Sequence, residues 1–257
     1  MSDFHGRFIW YELMTSDPEA AKAFYGKVVG WTPQDMNNGA MSYTVLEASG
    51  QGVGGLMEIP PDAKARGAPP CWTGYIAVDD ADAMAAKITA AGGSIIHPPQ
   101  DIPGIGRFAV VADPHGAVFE IMTPMPMDPP RAPLPPETEG TAGWRELYAG
   151  DLDADFAFYA AMFGWTKGEV FDMGPMGPYQ LFDTPDGRTG GMMKKPDQVP
   201  TPAWVYYFRV GQIEAAAERV KAAGGQVIMG PMEVPDGSWV LQATDPQGAY
   251  FALVGHH

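Results

Sequence analysis

The sequence predicts an α+β chain of four βαβββ modules forming two duplicated domains, and three observations carry that prediction. A strand-like run, a capped helix and three further strand-like runs follow one another, and this order recurs along the chain. The opening segment Trp10-Tyr11-Glu12-Leu13 returns as Trp144-Arg145-Glu146-Leu147, and later segments match at shifts of about 132–136 residues. A period this long marks domain duplication, because solenoid repeats are far shorter. Between the copies, Thr123-Pro124-Met125-Pro126 through Pro133-Leu134-Pro135-Pro136-Glu137 is too rich in proline for helix or sheet interior. The expected division is 1–124, a linker 125–142, and 143–257.

In order, Phe8–Met14 reads as a strand. Asp17 caps a helix Pro18–Val29 that carries proline at its first position and stops at Gly30. Trp31-Thr32 opens a second strand, and Asn37-Asn38-Gly39 is a turn signal. Met41–Ala48 and Val53–Ile59 flank Ser49-Gly50-Gln51-Gly52 as a hairpin. After a loop from Pro60-Pro61 to Pro69-Pro70, the order restarts with strand Cys71–Val78 and helix Ala81–Ala91, which ends at Gly92-Gly93. Ser94-Ile95-Ile96 is a strand, Pro98–Gly106 a loop, and Arg107–Ala112 a strand. Asp113-Pro114-His115-Gly116 turns into the strand Ala117–Met122. In the second copy Phe158-Tyr159, Gly164-Trp165, Gly190-Gly191, Ala203-Trp204, Gly224-Gly225 and Asp245-Pro246-Gln247-Gly248-Ala249 answer their counterparts in the first.

Composition narrows the function. With 257 residues, 46% hydrophobic, the chain has ample core. A net charge of −15 argues against nucleic acid and anionic membranes as partners. Cys71 is the single cysteine, so an intramolecular disulfide and a cysteine zinc site are excluded. Nothing resembles a signal peptide or a membrane span, and a cytoplasmic monomer or homodimer is expected. His256 and His257 are set aside as a possible tag remnant. Five histidines without paired spacing argue against a histidine metal centre.

Phe24-Tyr25 before Gly30-Trp31, the exit Val78-Asp79-Asp80, the stop Ala91-Gly92-Gly93, and Asp113-Pro114-His115-Gly116-Ala117-Val118-Phe119-Glu120 together form a family signature. The chain resembles the vicinal oxygen chelate superfamily, which contains glyoxalase I, extradiol dioxygenases and bleomycin-resistance proteins, in its duplicated glyoxalase-like branch. The resemblance implies paired modules whose mixed sheets curl around clefts. It also implies metal-ligand positions on the first and last strands. These fall here on Trp10, Gly55 or Leu56, Thr73 and Glu120, and on Trp144, Gly191 or Met192, Val205 and Ala252. Of these only Glu120 is a competent ligand, so no metal cofactor is expected. A hard cation such as Mg²⁺ or Ca²⁺ held by Glu12 and Glu120 is the alternative.

Alternate strand residues share a face, so Trp10 and Glu12 project together, as do Trp144 and Glu146. An inward carboxylate needs a donor, water or ligand. Glu12, Glu120 and Glu146 are therefore candidate catalytic bases, and a buried structural ion pair is the competing reading. Trp10, Tyr75, Trp144 and Tyr207 are candidate substrate-binding residues, against a plain role in core packing. His115 reads as a solvent-facing turn residue and His97 as a loop residue. The glycine pairs Gly54-Gly55 and Gly190-Gly191 read as bends or bulges. The leading expectation is a small, partly apolar or aromatic ligand in a Trp/Tyr/Glu-lined cleft, with glutamate-based proton transfer of a metal-independent lyase, isomerase or hydrolase kind. A non-catalytic drug- or metabolite-sequestering protein and a metal-dependent lyase or dioxygenase are the alternatives.

Overall fold

The computed structural model describes residues 2–37, 42–126 and 132–257. The first module runs β1 (Phe8–Thr15), α1 (Pro18–Val28), β2 (Thr32–Asn37), β3 (Ser42–Ala48) and β4 (Gln51–Glu58). A short helix α2 (Pro61–Ala65) leads into β5 (Cys71–Ala77), α3 (Ala81–Ala90), β6 (Ser94–Ile102), β7 (Gly106–Ala112) and β8 (Val118–Pro124). The second half repeats the order as β9 (Ala142–Ala149), α4 (Leu152–Phe163), β10 (Thr166–Asp172), β11 (Pro178–Thr184) and β12 (Gly187–Lys194). It closes with β13 (Ala203–Gln212), α5 (Ile213–Ala222), β14 (Gln226–Glu233), β15 (Trp239–Thr244) and β16 (Tyr250–His256).

Local chemistry places these boundaries. The Asp17, Asp80 and Asp151 side chains accept the amides of Ala20, Ala83 and Ala154 at 3.1, 3.0 and 2.9 Å, capping α1, α3 and α4. Each of α1, α3, α4 and α5 is followed by a glycine at positive φ: Gly30, Gly92, Gly164 and Gly224. The β3–β4 reversal is a two-residue turn in which Ser49 and Gly50 both have positive φ, a geometry matched to strand twist.

Each half forms one eight-stranded mixed sheet, with orders β2-β3-β4-β1-β5-β8-β7-β6 and β10-β11-β12-β9-β13-β16-β15-β14. Within a module the meander returns so that its last strand lies parallel to its first, as β4 does to β1 and β8 to β5.

Four sequence expectations need correction or restriction. The loop after Pro60 contains α2. The stretch beginning Pro98-Pro99 continues strand β6, with register shifts on both sides of His97. Proline is tolerated there because β6 is an edge strand, where one side of the backbone has no partner to bond. The end of the linker is ordered against β13: the Gly140 amide donates to the Arg209 carbonyl and the Arg209 amide to the Thr141 carbonyl, each at 2.8 Å. Asn38-Gly39 of the expected turn after Asn37, like residues 127–131 of the linker, fall outside the described residues.

The chain divides into two compact units, each taking one module from each half. Unit 1 comprises Met1–Ile9, Gly74–Ala132 and Arg145–Trp204; unit 2 comprises Trp10–Thr73, Pro133–Trp144 and Val205–His257. Their cores are built alike. In unit 1 the fully buried Tyr159 of α4 donates to Asp113 Oδ2 at 3.1 Å and accepts from Trp204 Nε1 at 2.9 Å. In unit 2 Tyr25 of α1 donates to Asp245 Oδ2 at 3.1 Å and accepts from Trp72 Nε1 at 2.8 Å. Each Asp also accepts two backbone amides of its own Asp-Pro-x-Gly-Ala turn at 2.9 Å. The Phe-Tyr helix motif of one half is therefore bonded to the Asp-Pro turn of the other. Trp165 and Trp204 pack on Tyr159, and Trp31 and Trp72 on Tyr25, at centroid distances of 5.3–5.7 Å that suit offset and edge contacts.

Candidate functional site

Strand alternation decides what β1 offers. Tyr11, Leu13 and Thr15 are buried, and Tyr11 packs edge-on against Tyr206 and Phe208 in the core of unit 2. Trp10, Glu12 and Met14 occupy the opposite face. Trp10 is half-buried and donates its Nε1 hydrogen to the Tyr43 hydroxyl of β3 at 2.9 Å. Glu12 is 7% exposed and stands in register with Gly55 of β4. A Cβ on Gly55 would lie 1.8 Å from the Tyr43 hydroxyl, so the glycine makes room for the tyrosine ring beside Glu12. Thr73 of β5, also buried, donates to the Glu12 carbonyl oxygen at a long 3.5 Å. Indole, phenol and carboxylate thus share one face of unit 2.

Unit 1 repeats part of this arrangement. Glu146 of β9 is 6% exposed and stands in register with Gly191 of β12, over which Tyr179 of β11 lies. Both glutamates are thus removed from bulk solvent. Trp144 is half-buried at the start of β9. The glycine pairs need a revised explanation. A register shift does occur in each β3–β4-type hairpin, but Gly55 and Gly191 are required by the tyrosine ring on the neighbouring strand. The repeated Tyr43 and Tyr179 carry that role. The signal was present in sequence as a tyrosine and a glycine pair returning at one common shift.

The remaining candidates fall on the other halves of the sheets. In unit 1 Tyr75 of β5 and Glu120 of β8 are neighbours in register, 3% and 2% exposed. Phe108 lies 6.3 Å from Tyr75, and His97 stacks on Phe108 at 5.7 Å, so His97 is a strand residue. In unit 2 Tyr207 is in register with Ala252, the counterpart of Glu120. There Gln242 donates to the Tyr207 hydroxyl at 2.6 Å and accepts from the Tyr250 hydroxyl. Gln242 and Tyr250 have no polar or aromatic counterparts in the first half, where Val110 and Val118 stand, so the repeat pattern did not single them out. Glu12 lies in unit 2, and Glu120 and Glu146 lie in unit 1.

His115 is only partly a turn residue facing solvent. Its side chain is 37% exposed, but Nδ1 lies 2.5 Å from Oδ1 of Asp155, a wholly buried carboxylate in the first turn of α4. That hydrogen bond holds the imidazole above its ordinary pKa, opposed by partial desolvation and helped by the charges of Asp155, Asp113 and Asp151. Burial raises Asp113, and the neighbouring Asp155 raises it further. Burial is also the main cause of the upward shifts of Asp245, Tyr25 and Tyr159.

The donor set does not fit a divalent metal centre of three or four protein ligands. At the strand positions that metal-using members employ, Trp10, Gly55 and Thr73 accompany Glu120, and Trp144, Gly191, Val205 and Ala252 stand in the second half. Among the described residues no group of three or more His, Cys, Asp or Glu side chains is placed to hold a metal ion.

The sequence matches the Glyoxalase/Bleomycin resistance protein/Dioxygenase superfamily twice, over residues 7–121 and 141–253. The chain belongs to this superfamily. It is 35% identical over 247 residues to the Mycobacterium tuberculosis protein named "Putative glyoxylase CFP32", covering 95% of this chain and 93% of the relative. It is 32% identical over 263 residues to the anthracycline biosynthesis protein DnrV of Streptomyces peucetius, covering 95% and 91%. In fold it is similar to the Mn(II)-bound glyoxalase of Novosphingobium aromaticivorans, with a TM-score of 0.62, 18% identity, and coverage of 98% of this chain and 82% of that one. No helix among the described residues is long and apolar enough to cross a membrane.

Proposed function

We propose that this protein binds a small, flat, partly apolar or aromatic molecule on the Trp10–Tyr43–Glu12 face, and that Glu12 accepts a proton from it or from a bound water. The supporting observation is the placement of a buried carboxylate beside an indole–phenol pair that shares its strand face. An aromatic wall favours a planar ligand. A carboxylate withdrawn from water binds and moves protons more effectively than one in bulk solvent. The likeness to a protein named for anthracycline biosynthesis favours a polycyclic aromatic ligand bearing carbonyl and hydroxyl groups. Glu146 beside Tyr179, and Tyr75 beside Glu120, extend the reading to a second and third surface. Residues 1–124 and 143–257 are taken as the duplicated domains, joined by 125–142.

The test is E12Q, which keeps shape and hydrogen-bonding capacity but removes the charge. Affinity for a hydroxyanthraquinone, followed by tryptophan fluorescence, should fall at least about tenfold, or turnover should vanish, with the melting temperature nearly unchanged. A large drop in melting temperature with unaltered affinity would assign Glu12 a structural role. Unaltered binding with no turnover in either protein would favour sequestration, the second reading, which the acidic chain supports for a cationic ligand.

A further inference from the structure

Several of the bonds that join the two halves come in equivalent pairs. Tyr159 to Asp113 in unit 1 is matched by Tyr25 to Asp245 in unit 2. Trp165 Nε1 donates to the Gly6 carbonyl at 2.7 Å, and Trp31 Nε1 donates to the Gly140 carbonyl at 2.8 Å. Lys87 of α3 donates to the Ala161 carbonyl at the end of α4, and Arg219 of α5 to the Val28 carbonyl at the end of α1. Each half therefore carries both partners of every one of these bonds. Half 1 has Tyr25 and Asp113, and half 2 has Tyr159 and Asp245. By these contacts alone, two copies of one half could pair with each other as well as the two different halves pair, which is the condition for exchange between chains.

The equivalence is broken in unit 1 by exposed and part-buried contacts such as Arg7 with Asp186 and His5 with the Met162 carbonyl, and by one contact that ends on a wholly buried carboxylate. His115 in the turn of half 1 meets Asp155 in the helix of half 2. At the corresponding places in unit 2 stand Gln247 and Ala21. Asp155 is wholly buried and its Oδ2 accepts the amides of Gly150 and Asp151 at 2.9 and 3.3 Å, leaving Oδ1 for the imidazole. The Gln247 side-chain oxygen is buried with no hydrogen-bond partner among the described residues. We propose that the His115–Asp155 pair is a recognition device that makes each half choose the other half over a second copy of itself. If half 2 paired with another half 2, Asp155 would face Gln247, an amide that brings no positive charge to a buried carboxylate. If half 1 paired with another half 1, His115 would face Ala21 and lose its acceptor. Only the unlike pairing joins the imidazole to the buried carboxylate, and discrimination arises from the penalty on the wrong partner.

The test uses the full chain with a protease site placed in 132–136. The protein is unfolded, refolded at about 1 mM, near the effective concentration that a short linker confers, and then cut. Native mass spectrometry reads the released pairs of halves. Wild type should give almost solely the unlike pair. H115Q/D155A, which copies the Gln247/Ala21 arrangement into unit 1, should raise the like pairs at least about tenfold. Moving the device to unit 2 in the same background, with A21D and Q247H, should return them to the wild-type level. H115Q/D155N retains the shape and polar contacts of the helix start and should behave as H115Q/D155A does, which keeps the comparison readable if the alanine variant refolds poorly. Like pairs within about twofold of wild type in both double variants would overturn the proposal. So would a relocated device that leaves them raised.

Discussion

The two buried Tyr–Asp–Trp clusters are the same object in two electrostatic settings. Tyr159, Asp113 and Trp204 in unit 1 superpose in role on Tyr25, Asp245 and Trp72 in unit 2, bond for bond and nearly distance for distance. Around the first stand Asp155 and His115, and around the second Ala21 and Gln247. The difference shows which part of the repeat carries the fold and which part has been free to acquire charge. The tyrosine, the tryptophan and the turn aspartate satisfy buried backbone and side-chain donors, so both copies need them. The position two residues past the aspartate and the position four before the tyrosine bond to each other in unit 1, where Asp155 also holds two helix-start amides, and carry Gln247 and Ala21 in unit 2.

The largest expected effect removes what the clusters share. D245A or D113A strips the acceptor from two turn amides and a buried phenol, at a cost of about 3–5 kcal/mol each, or a fall in melting temperature on the order of 10 °C by calorimetry. D245A should cost as much as D113A or slightly more, because the charge of Asp155 already opposes Asp113. Removing what the clusters do not share should cost less. H115Q leaves Asp155 without its imidazole partner and is expected to lose roughly 1–2 kcal/mol in denaturant melts, a value reduced by the partial exposure of the imidazole. Q247H, which places an imidazole where no carboxylate waits, should change stability by less than about 0.5 kcal/mol.

Acidity separates the clusters further. The folded pKa of His115 is raised above its unfolded value by Asp155, with Asp113 and Asp151 also facing it. Its contribution is therefore fully present below the unfolded value of about 6.5 and is lost as pH rises through the raised folded value. Wild type minus D155A, measured as stability against pH, should decline over that window. A flat difference would show that the pair contributes no charge-dependent stability.

Much of the fold was legible because its punctuation is chemical. Asp17 announced a helix start, and Gly30 and Gly92, both at positive φ, announced helix ends. Module order followed from the repeat. The stretch around Pro98-Pro99 was misread because proline was weighed without knowing that its strand lies at a sheet edge, a property of the assembled sheet alone. For the candidate site, period-two alternation placed Trp10 with Glu12 on one face, and both glutamates proved buried. Tyr43 and Gly55 escaped notice as a unit because a ring over a glycine joins residues on different strands, which no local pattern reports. His115 was read as a surface turn for the same reason: its partner Asp155 lies forty residues on, in the other half.

Ligand-induced stabilisation tests the functional account most directly. A hydroxyanthraquinone at a hundred times its dissociation constant should stabilise wild type by about 2.7 kcal/mol. E12Q and Y43F, with unliganded melting temperatures within a few degrees of wild type, should show little of that rise at the same ligand concentration. An equal rise in all three proteins would place the ligand elsewhere and contradict the account.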